Sequence, residues 1–207
     1  MFKSFVEETG MKGHLTIHKV VNGDEELIYD EDNVIVSGFG WALSHLYGLA
    51  GSQTITDFQI DRFQLGLSGN SDNQVSSTYE LSGPLSSSEE YLHIGDSNLS
   101  PVSSNLFLTT APAGDIVEEQ VFSKIPFNKV TRIDDRSVRY TIFIDEDSCN
   151  SLQRDGEDRS LNEIGLFIKN PRGKAEDESV LAAYRYFSNI TKTSDFGLVF
   201  RWTITFG

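Results

Sequence analysis

The segment whose spacing comes closest to that of a ligand-binding motif is VIVSGFGWAL, residues 34–43. A short apolar strand, a Gly-x-Gly turn at Gly38 and Gly40 and a following helix are typical of dinucleotide-binding sites. Leu43 occupies the position of the third glycine, and no second parallel strand that ends in an acidic residue follows. We therefore interpret the segment as a strand-to-helix corner, in which the two glycines permit a tight turn and Trp41 packs the joint.

Histidines and acidic clusters are the candidate metal ligands of the chain. His14 and His18 are four residues apart, which suits a helix, but their segment alternates as a strand and no nearby thiol or carboxylate completes a site. The acidic runs 30–32 and 145–147 lack the ligand spacing of a calcium loop. We expect the histidines to be ordinary surface or core residues, the acidic runs to be solvated links, and no bound metal.

Residues suited to nucleophilic catalysis are equally sparse. Cys149 is the single cysteine, and three acidic residues lie just before it, which disfavours the reactive thiolate. The sequence contains no Ser-His-acid elbow, Walker loop or zinc-enzyme motif. These observations favour a protein that is not an enzyme and needs no cofactor. A single cysteine also excludes an intramolecular disulfide and suits a reducing compartment.

Glu163 is the one carboxylate that we expect to be partly buried, because it lies inside the apolar motif LNEIGLF, residues 161–167. A carboxylate among apolar neighbours must be hydrogen-bonded or paired. The expected partner of Glu163 is either a backbone amide or a basic group such as Lys192 or Arg201.

The composition indicates a globular protein with an acidic surface. Of the 207 residues 38% are hydrophobic and 23% are charged, and 14 Phe and 7 Tyr provide enough apolar surface for a core. The balance of 17 basic and 31 acidic residues gives a net charge of −14, which repels nucleic-acid phosphates and anionic membranes. No apolar run approaches the roughly 20 residues of a membrane span or resembles a signal peptide. We expect synthesis in the cytoplasm and neither nucleic acid nor membrane as a partner.

The last third of the chain carries the clearest strand pattern. In GLVFRWTITFG, residues 197–207, the apolar side chains of Leu198, Phe200, Trp202 and Ile204 alternate with largely polar ones. One face of this strand is too apolar to be exposed. We expect the strand to complete a sheet that begins far upstream.

Earlier segments predict further antiparallel strands and one principal helix. Apolar residues at helical spacing predict the helix at about residues 39–50, with Ser37 as its cap and Gly48 or Gly51 as its end. The sequence predicts about eight or more strands, at residues 13–21, 27–29, 33–36, 55–67, 129–133, 138–144, 161–168, 180–187 and 197–207. Shorter ordered pieces are predicted at 105–109 and 117–126.

These elements predict a mainly β fold, an antiparallel β-sandwich with one α-helix. Residues 1–207 form a single β-rich domain in this interpretation. Residues 68–104, rich in Ser, Asn, Gly and acidic side chains, form a long loop-rich excursion from the core, where a partner contact is natural. Residues 170–178 are expected to form a solvent-facing hairpin loop.

Four blocks of the sequence resemble a group of tail and baseplate structural proteins of tailed bacteriophages. The matching positions are 33–46, 163–167, 185–192 and 202–206, which include NVIVSGFG, NEIGLF and the terminal FRWTITF. The order of the blocks is more specific than any block alone, and together they cover about half of the chain. The Ser-rich middle of the chain has no matching block.

This resemblance implies a β-rich virion component without catalysis, assembled in the host cytoplasm. Its implied partners are other tail, baseplate or neck subunits, in a symmetric homo-oligomer or a hetero-assembly. The structural or interface candidates are Gly38, Gly40, Trp41, Glu163, Gly165, Phe167, Lys192 and Trp202. Two alternatives are a carbohydrate-binding β-sandwich for host attachment, suggested by aromatics and polar loops, and a hydrolase, for which the sequence offers no convincing nucleophile and base.

Overall fold

A computed structural model describes residues 10–48, 58–85, 125–126, 129–154, 156–168 and 179–207 of the chain. It confirms the mainly β class with one α-helix in these ranges. The elements are β1 (Lys12–Val21), β2 (Asp24–Ile35), α1 (Ser37–Tyr47), β3 (Ile60–Gly66), a 3-10 turn (Ser71–Asn73), β4 (Ile125–Pro126), β5 (Lys129–Arg132), β6 (Ser137–Ile144), β7 (Gln153–Arg154), β8 (Glu157–Asp158), β9 (Leu161–Ile168), β10 (Val180–Ile190) and β11 (Gly197–Thr205).

Nine strands form one antiparallel sheet in the order β4-β3-β9-β10-β2-β1-β11-β6-β5, and β7 and β8 form a separate small hairpin. We call β5, β6, β11 and β1, with the first part of β2, the first half-sheet. The second half-sheet comprises β10, β9, β3 and β4. Strand β2 belongs to both, because residues 24–33 pair with β1 whereas Val34 and Ile35 pair with β10.

The sheet is curled, so that its two ends approach each other. The outermost strand on one side of the sheet, β4, ends at Pro126. The outermost strand on the other side, β5, begins at Lys129. Three residue steps span at most about 11 Å. The two half-sheets therefore face each other as in a sandwich, although they form one continuous sheet.

The main core lies between the facing half-sheets. The first half-sheet contributes the apolar face predicted for the terminal strand, and Leu198, Phe200, Trp202 and Ile204 are all buried. β9 contributes Ile164, Leu166 and Ile168 from the other side. Strand β11 lies between β1 and β6, so the last strand does complete a sheet that begins upstream.

The first two predicted strands, 13–21 and 27–29, form a hairpin, but the second strand is longer than predicted. Asn22 and Gly23 have φ values of 53° and 88°, which a two-residue hairpin turn requires. From Asp24 the chain continues as a single strand to Ile35. The acidic run 30–32, predicted as a link between two strands, lies inside β2, where its exposed side chains can point to solvent.

The helix begins earlier than predicted and ends at Gly48, one of its two predicted ends. α1 spans Ser37–Tyr47, and Ser37 is its first residue rather than its cap, because Val36 holds the cap position without a side-chain hydrogen bond. Gly38 and Gly40 are therefore helical and do not form the predicted tight turn. Gly48 ends the helix and donates its N–H to the carbonyl of Ser44 at 2.9 Å.

Residues 67–85, which we call the strap, form the described part of the predicted excursion. The strap is loop-rich but lies against the second half-sheet, since Leu81 and Leu85 are buried. Its two ends are tied to each other by a hydrogen bond of 2.8 Å from the Leu67 N–H to the Gly83 carbonyl. A second bond of 2.8 Å, from the Leu85 N–H to the Leu65 carbonyl, ties the end of the strap to β3. The pieces predicted at 51–57, 86–124 and 170–178 lie outside the described residues.

Candidate functional site

Three of the predicted candidates lie side by side on the outer face of β9. Glu163, Gly165 and Phe167 are alternate residues of the strand, so their positions share one face, opposite the main core. The strap covers this face, and Phe167 packs there with Leu81 of the strap and with Tyr184 of β10. The result is a second, smaller core between the strap and the sheet.

Glu163 fastens the strap to this face. Its side chain is completely buried, and its two carboxylate oxygens accept hydrogen bonds from the N–H groups of Ser82 at 3.0 Å and Gly83 at 2.7 Å. The hydroxyl of Tyr184 donates a third bond at 3.0 Å. Three donors offset the cost of removing a carboxylate from water. The backbone-amide partner expected for Glu163 is thus present, whereas Lys192 and Arg201 bind elsewhere.

Tyr184 serves as a stable donor to this carboxylate. Burial raises the pKa of its hydroxyl well above the ordinary value, and the negative charge of Glu163 raises that pKa further. The hydroxyl therefore keeps its proton at any pH that the folded protein meets. A tyrosine in this state is a structural donor and a poor nucleophile or base.

Small residues make room for the carboxylate. A Cβ at Gly66 would overlap the Glu163 carboxylate, and a Cβ at Gly69 would overlap the Glu163 side chain. At Gly165, an added Cβ would lie 2.6 Å from a Leu181 methyl and 2.7 Å from a Leu81 methyl. The absence of a side chain at Gly66 and Gly69 therefore leaves room for the carboxylate that attaches the strap.

Neighbouring side chains attach the strap at further points. The amide side chain of Asn162 exchanges two hydrogen bonds with the backbone of Gly69, at 2.9 and 3.2 Å. The Arg154 guanidinium donates to the carbonyl of Pro84 at 2.8 Å. The strap is thus held near its start by Asn162 and near its end by Glu163 of the sheet and Arg154 of the β7–β8 hairpin.

Lys192 is a second buried polar candidate, and it is also used structurally. Its ammonium group donates to the Asn150 side chain at 2.9 Å and to the carbonyls of Thr193 and Glu146 at 2.8 and 3.3 Å. Burial lowers the pKa of Lys192, against the raising effect of nearby acidic groups. Three acceptors match the three N–H bonds of the group, which thereby holds the loop that contains the buried Cys149.

His14 lies on the outer face of the first half-sheet, away from both cores. Its two ring nitrogens lie 2.9 Å from Asp32 and 2.6 Å from Asp30. The hydrogen bond to Asp32 is the main effect that raises the pKa of His14. Within the ranges that the structure describes, no group of three or more His, Cys, Asp or Glu side chains is placed to hold a metal ion.

The predicted candidates therefore divide into buried and surface positions. Glu163, Gly165, Phe167, Lys192 and Trp202 are buried, so they act on the fold and cannot contact a partner directly. Gly38, Gly40 and Trp41 lie on α1 and are partly exposed. Gly38 packs against the backbone of Leu181, where a Cβ would overlap the carbonyl oxygen.

Two cavities lie next to α1. The larger, about 700 Å³, is open to solvent and is lined mainly by apolar side chains of the helix and of both half-sheets, with Arg132 as its basic residue. The smaller, about 460 Å³, is lined by the aromatic side chains Trp41 and Tyr79 and by Ser37 and Ser179, among others. The hydroxyl oxygen of Ser179 is buried and has no hydrogen-bond partner.

Sequence reasoning did not find Tyr79, Asn162 or Tyr184. Tyr184 donates to Glu163 across 21 positions, and the strap amides come from about 80 positions away, so no local pattern links them. Asn162 directly precedes Glu163 in the same apolar motif. A second polar residue inside such a motif was the signal in the sequence for a further buried hydrogen bond.

Comparisons with known proteins give no relatives. No protein-family model matches the chain, and neither a curated protein nor a solved structure is significantly similar to it. In the described part of the chain, no helix is long and apolar enough to span a membrane.

Replacing Glu163 by Gln should loosen the strap. The amide retains one acceptor oxygen but turns an N–H₂ group toward backbone N–H donors, so at least one buried donor loses its partner. We expect the free energy of unfolding to fall by about 2–3 kcal/mol, measured by urea denaturation. The matched control is Glu80→Gln, an exposed carboxylate on the same strap, which should change stability by less than about 0.5 kcal/mol. Equal effects of the two substitutions would contradict the anchoring role.

Proposed function

We propose that the chain is a non-enzymatic structural component of a bacteriophage virion, a tail, baseplate or neck assembly protein that acts through protein–protein contacts. The observation that carries this proposal is the order of the four sequence blocks in which the chain resembles tail and baseplate proteins. The blocks fall on β2 and α1, on β9, on β10 with the segment after it, and on β11. They are therefore the segments that build the sheet and its cores.

The use of the buried polar groups supports a role without catalysis. Glu163 and Lys192 are the buried charged side chains of the described residues, and each is held by three structural hydrogen bonds. Cys149 is buried. Side chains that are already saturated contribute to a rigid scaffold, which is what an assembly subunit requires.

Mass spectrometry of purified virions tests the proposal. Particles of the phage that encodes the chain should contain it after density-gradient purification, in a constant ratio to the capsid protein and in several copies. A host cytosolic protein of similar abundance is the control for contamination. Expression of the chain in infected cells, together with its absence from purified particles, would overturn the proposal.

The smaller cavity beside α1 favours a second candidate function, a saccharide-binding module for host attachment. Tyr79 is 76% exposed, and together with Trp41 it offers an aromatic surface beside the hydroxyls of Ser37 and Ser179. Saccharide rings pack their apolar faces on aromatic side chains, and their hydroxyls pair with polar groups nearby. The net charge of −14 favours neutral over anionic sugars.

A glycan array with the folded protein tests this second candidate. Binding to a neutral glycan should weaken at least tenfold in Tyr79→Ala. The matched control is Tyr47→Ala, since Tyr47 is also exposed but does not line the cavity. No binding to any glycan, or equal losses in both variants, would contradict a saccharide site here.

A further inference from the structure

Within the described residues, the first half-sheet ends in two strand edges of opposite charge that pair with no further strand over the ranges named here. One is the acidic edge, residues 24–32 of β2, whose hydrogen-bonded strand neighbour in the described sheet is β1. The other is the basic edge, residues 129–139, which comprises β5, the following turn and the start of β6; β5 has β6 as its neighbour. Four strand spacings of about 4.8 Å separate β2 from β5, or roughly 19 Å across the half-sheet.

The acidic edge carries six acidic side chains and no basic one. Asp30 and Asp32 lie against His14, Glu25 pairs with Arg201, and Glu31 pairs with Arg185. Asp24 and Glu26 are exposed and make no ion pair within the described residues. These two carboxylates at the start of β2 are therefore available to a partner.

The basic edge is unusual in a chain with a net charge of −14. It holds four basic side chains, Lys129, Arg132, Arg136 and Arg139, and two acidic ones. Arg132 pairs with Asp135 at 3.0 Å, but both side chains are largely exposed. An exposed ion pair contributes little free energy, so Arg132 can pair with a carboxylate of another chain instead. Lys129 and Arg136 are exposed and have no ion pair in the described structure.

Each edge also exposes apolar side chains beside its charges. Leu27 is 50% exposed and Ile28 41% on the acidic edge, and Val130 is 55% exposed and Ile133 45% on the basic edge. Apolar groups with complementary charges around them are the usual composition of a protein interface. Open strand edges further offer backbone N–H and C=O groups for pairing with another chain.

We propose that the acidic edge of one copy binds the basic edge of a second copy, so that copies associate head to tail. Two acidic edges repel each other, as do two basic ones, so the contact joins unlike surfaces. A contact of this kind continues from copy to copy and closes into a ring or extends as a filament. This contact gives the proposed assembly role a partner, a second copy of the chain, and its biological relevance rests on that proposed role.

Charge reversal at each edge tests the contact. One variant carries Asp24→Lys with Glu26→Lys, and the other carries Lys129→Glu with Arg136→Glu. The matched control carries Asp72→Lys with Glu80→Lys, two exposed acidic residues on the strap. Circular dichroism and urea denaturation establish that all three are folded. Sedimentation velocity at several protein concentrations then gives the association state.

The unmodified chain should gain mass with concentration and lose it when salt is raised from about 50 to about 500 mM, since salt screens exposed charges. Each edge variant should associate at least tenfold more weakly than the unmodified chain. An equimolar mixture of the two variants should regain association, because the reversed edge of one variant then meets the oppositely charged reversed edge of the other. The control should behave as the unmodified chain. A monomeric unmodified chain, normal association of either edge variant, or a mixture that stays dissociated would overturn the inference.

The outcomes also separate this inference from the proposed function. Virions that contain the chain, combined with edge variants that associate normally, would reject the edge contact alone. Edge-dependent association of a chain that is absent from virions would reject the virion role alone.

Discussion

The closure of the sheet depends on one corner, where β2 changes its pairing partner at Asn33. Gly13 of β1 pairs with Asn33, and the next residue, Val34, pairs with β10. The Asn33 side chain accepts a hydrogen bond of 2.6 Å from the indole N–H of Trp202 and donates one of 3.1 Å to the carbonyl of Val34. A Cβ at Gly13 would overlap this side chain. One amide thus links the completely buried Trp202 of β11 to the residue at which β2 changes its partner.

Buried polar side chains repeat this use elsewhere in the molecule. Asn33 fixes the corner, Glu163 fixes the strap, and Lys192 fixes the loop around Cys149. A buried polar group with all partners satisfied stabilises a single arrangement, since any other arrangement leaves it unpaired. These polar side chains therefore stabilise the fold, whereas the charged strand edges and the aromatic side chains beside α1 lie at the surface.

Local patterns predicted much of the fold because alternation and turn residues act over short distances. The terminal strand and the strands predicted at 129–133 and 138–144, which form β5 and β6, follow from such patterns. The continuity of β2 does not follow from such patterns, because its acidic run is exposed on a strand edge and lacks an apolar face. The strap was read as an excursion because Leu81 and Leu85 are isolated among polar residues, and only distant contacts bury them. The partners of Glu163 and Lys192 were likewise set by tertiary structure.

The most direct test of this account is a double-mutant cycle at the corner, with Asn33→Ala, Trp202→Phe and the two combined, followed by urea denaturation. Trp202→Phe removes the indole donor but keeps an aromatic ring in the core. If the hydrogen bond joins the half-sheets, the two effects should be coupled by about 1–2 kcal/mol, since residues in contact are not additive. Additive effects, within about 0.5 kcal/mol, would show that the corner does not depend on this bond.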